Sequence, residues 1–229
     1  MKILGIDTTT KFLCIGIGIN KDIYEYCLNL GKGHDLYLIN HLRRILESLR
    51  IKIEQIDYLV VGLGPGSFTG ARIGISAIKG IACALNKKVI GVSTLEIIAY
   101  NALNYTEGNF VCPVLDAKRG LLYSALYYRE NRSLKEKIPA HLWSIDEMIK
   151  NVPPNTLFLG DGLNLYKSYL MAKTKEAYFL DEDFFWPKAT YLLESALKYI
   201  REKKFISLDK LKPIYLYPAH CQVKNTTRD

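Results

Sequence analysis

With 229 residues, 49% of them hydrophobic and 24% charged, the chain has the composition of a globular protein with one large domain or two small ones. Its net charge is +8, but the basic residues are dispersed, which disfavours nucleic-acid binding by this chain alone. The five cysteines form no CxxC pair, and no apolar run approaches the roughly 18 residues of a membrane span. We therefore expect a cytoplasmic protein with reduced thiols and no membrane contact.

The first half of the chain predicts an α/β lobe. Strands at 2–6, 12–19 and 23–30, joined by tight turns, predict an antiparallel meander. The middle strand carries small residues on one face, at Cys14, Gly16 and Gly18, which indicates that another element packs closely there. Further along we predict helices at 34–50, 71–85 and 94–103 and strands at 58–63 and 88–92, with Ser93 and Glu96 as a cap for the third helix.

The second half predicts a shorter version of the same order. The polar segment 104–109 separates an N-terminal lobe, 1–104, from a smaller C-terminal lobe, 105–229. The latter has a predicted hairpin of strands at 110–117 and 121–128, a third strand between 135 and 142, and a helix opened by the capping box of Ser144 and Glu147. A strand at 156–160, helices at 163–172 and 188–203 and an extended segment at 213–218 complete it.

A glycine-rich loop follows the strand at 58–63 and invites a phosphate-binding interpretation. Its spacing fits no Walker A loop, no nucleophile elbow and no dinucleotide fingerprint. Backbone N–H groups at a helix N-terminus can still hold a phosphate, and an acidic residue after the first strand can position magnesium. The candidate residues of this vestigial nucleotide site are Asp7, Thr8, Gly66, Ser67 and Gly70. Tight turns explain the same residues without a ligand, and both interpretations stay open here.

The residues provide no metal centre and no nucleophile–base pair. His34 and His41 are seven residues apart on one helix, roughly 10 Å along its axis, so they cannot share an ion held at about 2 Å. We expect these two histidines, and the isolated His141 and His220, at helix caps or on the surface. Cys83 has only Lys79 near it, as an inert thiol would. No catalytic residue is predicted.

The helix at 71–85 is apolar over most of its circumference. It is either sandwiched within its own lobe or packs one face inside and docks the other on a second helix, together with the helix at 34–50. The candidate partner-interface residues are Leu38, Leu42, Ile45, Arg72, Ile73, Ser76, Ala77, Lys79 and Gly80.

Five segments in this order resemble the TsaB (YeaZ) family of bacterial tRNA threonylcarbamoyladenosine biosynthesis proteins. They are ILGIDTTT at the start, GLGPGSFTGARIG at 62–74, GVSTLE at 91–96, LDAKRGLLYSALY at 115–127 and PIYLYP at 213–218. The resemblance spans nearly the whole chain. It implies the actin/hexokinase-type ATPase fold, an α/β fold of two related lobes with mixed sheets, here with a reduced second lobe.

The same resemblance implies a role in modifying adenosine 37 of tRNAs that read codons beginning with A. In that pathway the family pairs with the catalytic paralogue TsaD, and the ATPase TsaE binds the pair. TsaD holds its metal with a His-x-x-x-His pair after the strand that here ends at Val92, whereas this chain has no histidine at 93–97. We therefore expect a non-catalytic subunit that docks and stabilises a TsaD-like partner.

Several further expectations follow from the resemblance. The chain would self-associate when the partner is absent, contact tRNA only through the complex, and hold no cofactor alone, with ATP or ADP at the partner interface. The alternative is a free-standing ATP-dependent enzyme that uses Asp7 and the loop at 66–70. A peptidase is disfavoured because no residue set supplies a nucleophile, a base and an oxyanion site.

Overall fold

Two mixed sheets of five strands each form the framework of the computed structural model, which describes residues 1–130 and 133–218. His220 and Cys221 lie outside the described residues. The first sheet has the order β3-β2-β1-β4-β5, with β1–β3 as the predicted antiparallel meander and β4 and β5 parallel to β1. Its strands are β1 (Lys2–Asp7), β2 (Phe12–Ile19), β3 (Asp22–Asn29), β4 (Tyr58–Gly62) and β5 (Lys88–Val92).

The second sheet has the order β10-β9-β6-β7-β8 and extends the predicted hairpin on both sides. Its strands are β6 (Phe110–Lys118), β7 (Leu121–Glu130), β8 (Ser133–Ser144), β9 (Thr156–Leu159) and β10 (Ala177–Phe179). The sequence did not predict β10, because three residues are too few to show a period. The strand exists through its parallel pairing with β9.

The helices follow the predicted order. They are α1 (His34–Ser48), α2 (Phe68–Leu85), α3 (Thr94–Ala99), α4 (Ile145–Asn151), α5 (Leu163–Lys173) and α6 (Ala189–Arg201), with 3₁₀ turns at Ile53–Gln55, Tyr100–Ala102 and Glu182–Phe184. The α2 helix begins three residues earlier than predicted, because the Ser67 side chain accepts a hydrogen bond from the Gly70 N–H and caps the helix there. The capping box of Ser144 and Glu147 opens α4 as predicted.

Two helices pack across the lobe boundary. Leu95 and Ile98 of α3 belong to the core of the second sheet, whereas Leu192 and Leu193 of α6 pack in a cluster with Ile3 of the first sheet. The α6 helix belongs by its position in the chain to the predicted C-terminal lobe, 105–229, but it packs on the sheet of the N-terminal lobe. It follows the second sheet in the chain but covers a face of the first sheet.

The small residues of β2 explain why α6 packs there. A Cβ atom on Gly16 would lie 3.1 Å from the Cβ of Ala189 and 3.1 Å from Leu193 Cδ1. One on Gly5, in the neighbouring β1, would lie 2.8 Å from Leu193 Cδ2. The predicted close approach to this face of β2 is confirmed, and the packing element is α6.

The α1 and α2 helices cover the opposite face of the first sheet. Ile15 and Ile17 of β2 share one core cluster with Leu46 of α1 and with Ile75 and Ile78 of α2. Within the described residues, α2 is the one helix whose length and apolar composition would suffice to cross a membrane. It is also the crossover between the paired parallel strands β4 and β5, a position in which an apolar helix is expected.

We predict that Gly16→Ala destabilises the chain while Gly18→Ala does not. The new methyl group at residue 16 would press on Ala189 and Leu193, which overpacks the contact with α6 and costs about 1–3 kcal/mol. At residue 18, on the same face, the nearest atom lies 3.6 Å away, so alanine fits and stiffens the unfolded chain. Urea unfolding of both variants measures the difference. Equal effects would contradict the close packing of α6 on β2.

Candidate functional site

A buried hydrogen-bond network ties the end of β1 to the loop before α2 and to the start of α3. Asp7 is fully buried, and its Oδ1 accepts hydrogen bonds from the Thr9 N–H at 2.9 Å and the Thr9 hydroxyl at 2.8 Å. The Thr94 hydroxyl lies 2.7 Å from that of Thr9 and accepts from the Gly64 N–H at 3.2 Å. The Asp7 carboxyl therefore contacts its own turn and α3.

Thr8 completes this network on the α2 side. Its hydroxyl donates to the carbonyl oxygen of Gly70 at 2.7 Å and accepts from the Gly74 N–H at 3.1 Å, inside the first turns of the helix. The Ser67 N–H donates to the Thr9 carbonyl at 2.6 Å. The turn after β1 and the start of α2 are thus held together by direct bonds.

The glycines of the loop allow this close approach. A Cβ on Gly62 would lie 1.8 Å from Asp7 Oδ2, one on Gly66 2.3 Å from the Thr9 carbonyl, and one on Gly70 2.0 Å from the Thr8 carbonyl. Of the two interpretations of the loop, the structure therefore supports the tight turn. The side chains of Asp7 and Thr8, two of the candidate nucleotide-site residues, are buried and bonded within the protein, and neither residue lines the cleft described below.

A cleft of about 780 Å³ lies between the two lobes, above this network. Gly66, Ser67 and Gly70 lie on one wall, next to the turn of Thr9, Thr10 and Lys11, and residues from β6, including Asp116, lie on the other. Asp161 also lines the cleft, and its Oδ1 accepts a hydrogen bond from the Asp116 N–H at 3.0 Å. Burial raises the pKa of the Asp161 carboxyl. The cleft thus carries charges of both signs.

His34 contributes an unexpected group to this cleft. It is 5% exposed, and its Nε2 is buried without a hydrogen-bond partner. The expectation of a cap or surface position is therefore wrong for His34, which is buried as the first residue of α1 after the N-cap Gly33. His41 is half-buried, with its Nδ1 3.1 Å from the Tyr26 hydroxyl, and the exposed His141 stacks on Trp143.

Residues 93–97, where the family resemblance implies a histidine pair in TsaD, are built into the protein interior. Thr94 belongs to the Asp7 network, and Glu96 is buried and accepts a hydrogen bond from the Tyr199 hydroxyl at 2.7 Å. Burial raises the pKa of the Glu96 carboxyl. Ser93 is the N-cap of α3 as predicted, but its side chain makes no capping bond and Glu96 bonds to Tyr199 of α6 instead of completing a capping box.

The predicted partner face divides into buried and accessible residues. Leu38 and Leu42 are 1% and 5% exposed and pack in the core below α1, so their assignment to a partner face is wrong. Arg72, Ser76 and Gly80 are exposed, and Ile45, Ile73, Ala77 and Lys79 are half-buried. The sequence analysis missed three apolar side chains of α1 that are exposed, Leu36, Tyr37 and Ile39.

Arg72 is held by the C-terminal segment. Its guanidinium lies 3.8 Å from the ring centroid of Phe68, and its Nε donates to the Tyr215 hydroxyl at 2.8 Å. Phe68 and Tyr215 line a second cavity of about 430 Å³ between the start of α2 and residues 213–217. Arg72 therefore anchors the end of the described chain to α2.

The two sheets, each opening with an antiparallel pair and continuing with parallel strands, enclose the cleft and define an α/β protein of the actin/hexokinase-type ATPase fold, as predicted. The chain is similar to the structure of YeaZ from Pseudomonas aeruginosa, with a TM-score of 0.82, 22% identity and coverage of 94% of this chain and 99% of that one. The family model for tRNA N6-adenosine threonylcarbamoyltransferase, TsaD, matches residues 29–210.

Two curated relatives identify the family within this class of fold. The chain is 33% identical over 175 residues to the tRNA threonylcarbamoyladenosine biosynthesis protein TsaB of Bacillus subtilis, covering 74% of this chain and 75% of the relative. It is 27% identical over 220 residues to TsaB of Escherichia coli, covering 94% of each. The chain belongs to the TsaB (YeaZ) family.

We predict that Asp7→Asn folds and is at least as stable as the parent chain at pH 7. Burial raises the pKa of Asp7 above its unfolded value near 3.8, although hydrogen bonds from Thr9 and Thr94 oppose the shift. The stability that the protonated acid provides is complete below about pH 4 and is lost as the pH rises through the raised pKa. Asparagine stays neutral and avoids that loss.

Urea unfolding between about pH 4 and pH 7 measures this difference. The stability of Asp7→Asn relative to the parent should rise with pH. The opposite trend would mean that the ionised carboxylate is the stabilising form, as expected for a residue that binds a cation.

Proposed function

We propose that this chain acts in tRNA threonylcarbamoyladenosine biosynthesis as a non-catalytic subunit that docks and stabilises a TsaD-like catalytic paralogue. The membership of the TsaB family supports the pathway. The docking face would be the outer surface of α1 and α2. The TsaE-like ATPase would join this pair, and tRNA would contact the chain within the complex.

The observation that carries this proposal is the apolar and largely uncovered surface of the two helices. Only 33% of the residues of α2 are buried, although its mean hydropathy is 1.3. On the neighbouring α1, Leu36 and Ile39 are 69% and 58% exposed. Exposed apolar side chains of this kind are typical of a surface that another protein covers.

Small residues make the α2 part of this surface suited to a second helix. Gly80 and Ala84 are exposed, and Ala77 is half-buried, at spacings that place them along one side of the helix. Such side chains let the backbone of a partner helix approach closely. In the absence of the paralogue, a second copy of this chain would cover the same surface.

The interior of the cleft supports a non-catalytic role. Asp7 is bonded to Thr9 and Thr94 and does not line the cleft. At the position of the TsaD histidines, Thr94 and Glu96 serve packing and hydrogen bonding in the core. The transfer of the threonylcarbamoyl group would therefore take place on the partner.

Nucleotide binding in the cleft is a second candidate function, alone or at the partner interface. It is favoured by the unpartnered Nε2 of His34 and by Lys11, both of which line the cleft. A nucleotide phosphate would accept hydrogen bonds from these groups and from the backbone of Gly66 and Ser67. The reaction class would be ATP hydrolysis or group transfer.

We predict that Gly80→Glu and Ile39→Glu abolish docking without unfolding the chain. A Cβ on Gly80 meets no atom within 4 Å, and glutamate is a better helix former than glycine. The isolated Gly80→Glu chain should therefore gain roughly 0.5–1 kcal/mol of stability. A carboxylate buried at a helix interface would raise the Kd for the TsaD-like paralogue at least about tenfold. Co-purification and reconstituted threonylcarbamoyladenosine formation measure the effect.

The matched control is Leu165→Glu. Leu165 is also an apolar helix residue, 63% exposed, but it lies on α5 in the second lobe. This variant should bind the partner normally. If all three variants bind alike, the docking face is not formed by α1 and α2.

Calorimetry with ATP and magnesium tests the second candidate. A nucleotide in the cleft would give saturable binding that Lys11→Ala weakens at least about tenfold through the lost charge-assisted contact. Gly80→Glu should leave that binding unchanged, because residue 80 does not line the cleft. No saturable heat, with or without the paralogue, would exclude nucleotide binding as a function of this cleft.

A further inference from the structure

Two cysteines face each other across the β2–β3 hairpin. Cys14 and Cys27 are direct partners in the antiparallel register. Their side chains lie on the same face of the sheet, and Cys27 Sγ is 2.9 Å from Cys14 Sγ. The two thiols are therefore already in contact in the reduced protein.

The backbone geometry is compatible with a covalent bond between them. Opposed residues of an antiparallel pair have Cα atoms about 4.5–5.5 Å apart, and disulfides span about 4.4–6.8 Å between Cα atoms. The sulfurs must close from 2.9 Å to about 2.05 Å. Rotation of the side chains supplies this movement, so the strands keep their register.

The environments of the two thiols differ and define an order of reaction. Cys27 is exposed, and its Sγ lies 3.3 Å from Oε1 of Glu25. Cys14 is fully buried, and its Sγ donates to the Pro187 carbonyl at 3.2 Å. The side-chain contact with the Cys27 thiol, followed by burial, raises the pKa of the Cys14 thiol. A dissolved oxidant therefore meets Cys27 first, and Cys14 is placed to react second.

We propose that Cys14 and Cys27 form a reversible disulfide when the protein meets hydrogen peroxide. The Cys27 thiolate attacks one peroxide oxygen, the O–O bond breaks, and the departing hydroxide is protonated to water, leaving a sulfenic acid on Cys27. The Cys14 sulfur gives up its proton and attacks the sulfur of Cys27. The S–O bond breaks, and the departing hydroxide takes up a proton as a second water. The two thiols lose two electrons to one peroxide.

The disulfide would act where the chain enters α6. Cys14 shares its face of β2 with Gly16, on which α6 packs, and Glu25 accepts a hydrogen bond from the Thr190 N–H at 3.2 Å. Oxidation removes the S–H that donates to Pro187 and the one that lies beside Glu25. The proposed docking helices lie on the opposite face of the sheet, so the disulfide would leave the partner surface unchanged.

Mass spectrometry of the peroxide-treated chain tests the proposal. In a Cys83→Ser/Cys221→Ser background, Cys112 is the internal reference, since it is fully buried and burial raises its pKa to about 12. After peroxide treatment, two fewer thiols should react with the alkylating reagent in denaturant. The mass of the oxidised chain before alkylation should be lower by two hydrogens. Peptide mapping should give one cross-link between Cys14 and Cys27, and dithiothreitol should reverse it.

Two variants establish the order of the steps. Cys14→Ala should leave a persistent sulfenic acid on Cys27, detected by dimedone labelling, because no resolving thiol remains. Cys27→Ser should leave Cys14 unmodified. The proposal is overturned if both thiols stay alkylatable, or if Cys27 proceeds to sulfinic acid in the parent chain without a cross-link. Oxidised and reduced protein should bind the TsaD-like paralogue alike, so this test does not depend on the docking proposal.

Discussion

The approach of two loops around the buried Asp7 is the constraint on which the cleft and α2 both depend. The turn after β1 and the loop before α2 touch through backbone atoms, and no side chain fits between them at Gly66 or Gly70. Because Thr8 bonds to Gly70 and Gly74 inside α2, the helix has a fixed position on the sheet. The same contacts that close the floor of the cleft therefore orient the outer face of α2.

That arrangement affects the cleft and α2 in different ways. In this chain the polar groups at the end of β1 are used to hold the loop, which leaves the cleft without an accessible carboxylate from Asp7. Meanwhile α2 keeps small and apolar side chains that its own lobe does not cover. Structural support of a partner is a role that such a division allows, because it needs a rigid helix and no reactive group.

The sequence predicted most of the framework because buried strands and amphipathic helices have clear periods. It failed where the outcome depends on contacts distant in the chain: α6 covers the first sheet, and Glu96 bonds to Tyr199. The partner face predicted from the sequence included Leu38 and Leu42, although both pack in the core of the first sheet. The better indication of an accessible apolar face on α1 was the set of apolar residues that do not point to the sheet, Leu36, Tyr37 and Ile39.

The exchange of α3 and α6 between the two cores has a consequence for synthesis of the chain. The face of β1 and β2 that contains Gly5 and Gly16 is covered by Leu193 of α6, which the ribosome synthesises only after all the strands of both sheets. Until then this face of the first sheet lacks the cover of α6, so its lobe cannot complete folding as an independent cotranslational unit. The nascent protein therefore relies on α6 to cover β1 and β2, and a chain stopped at the lobe boundary would be a target for chaperones and proteases.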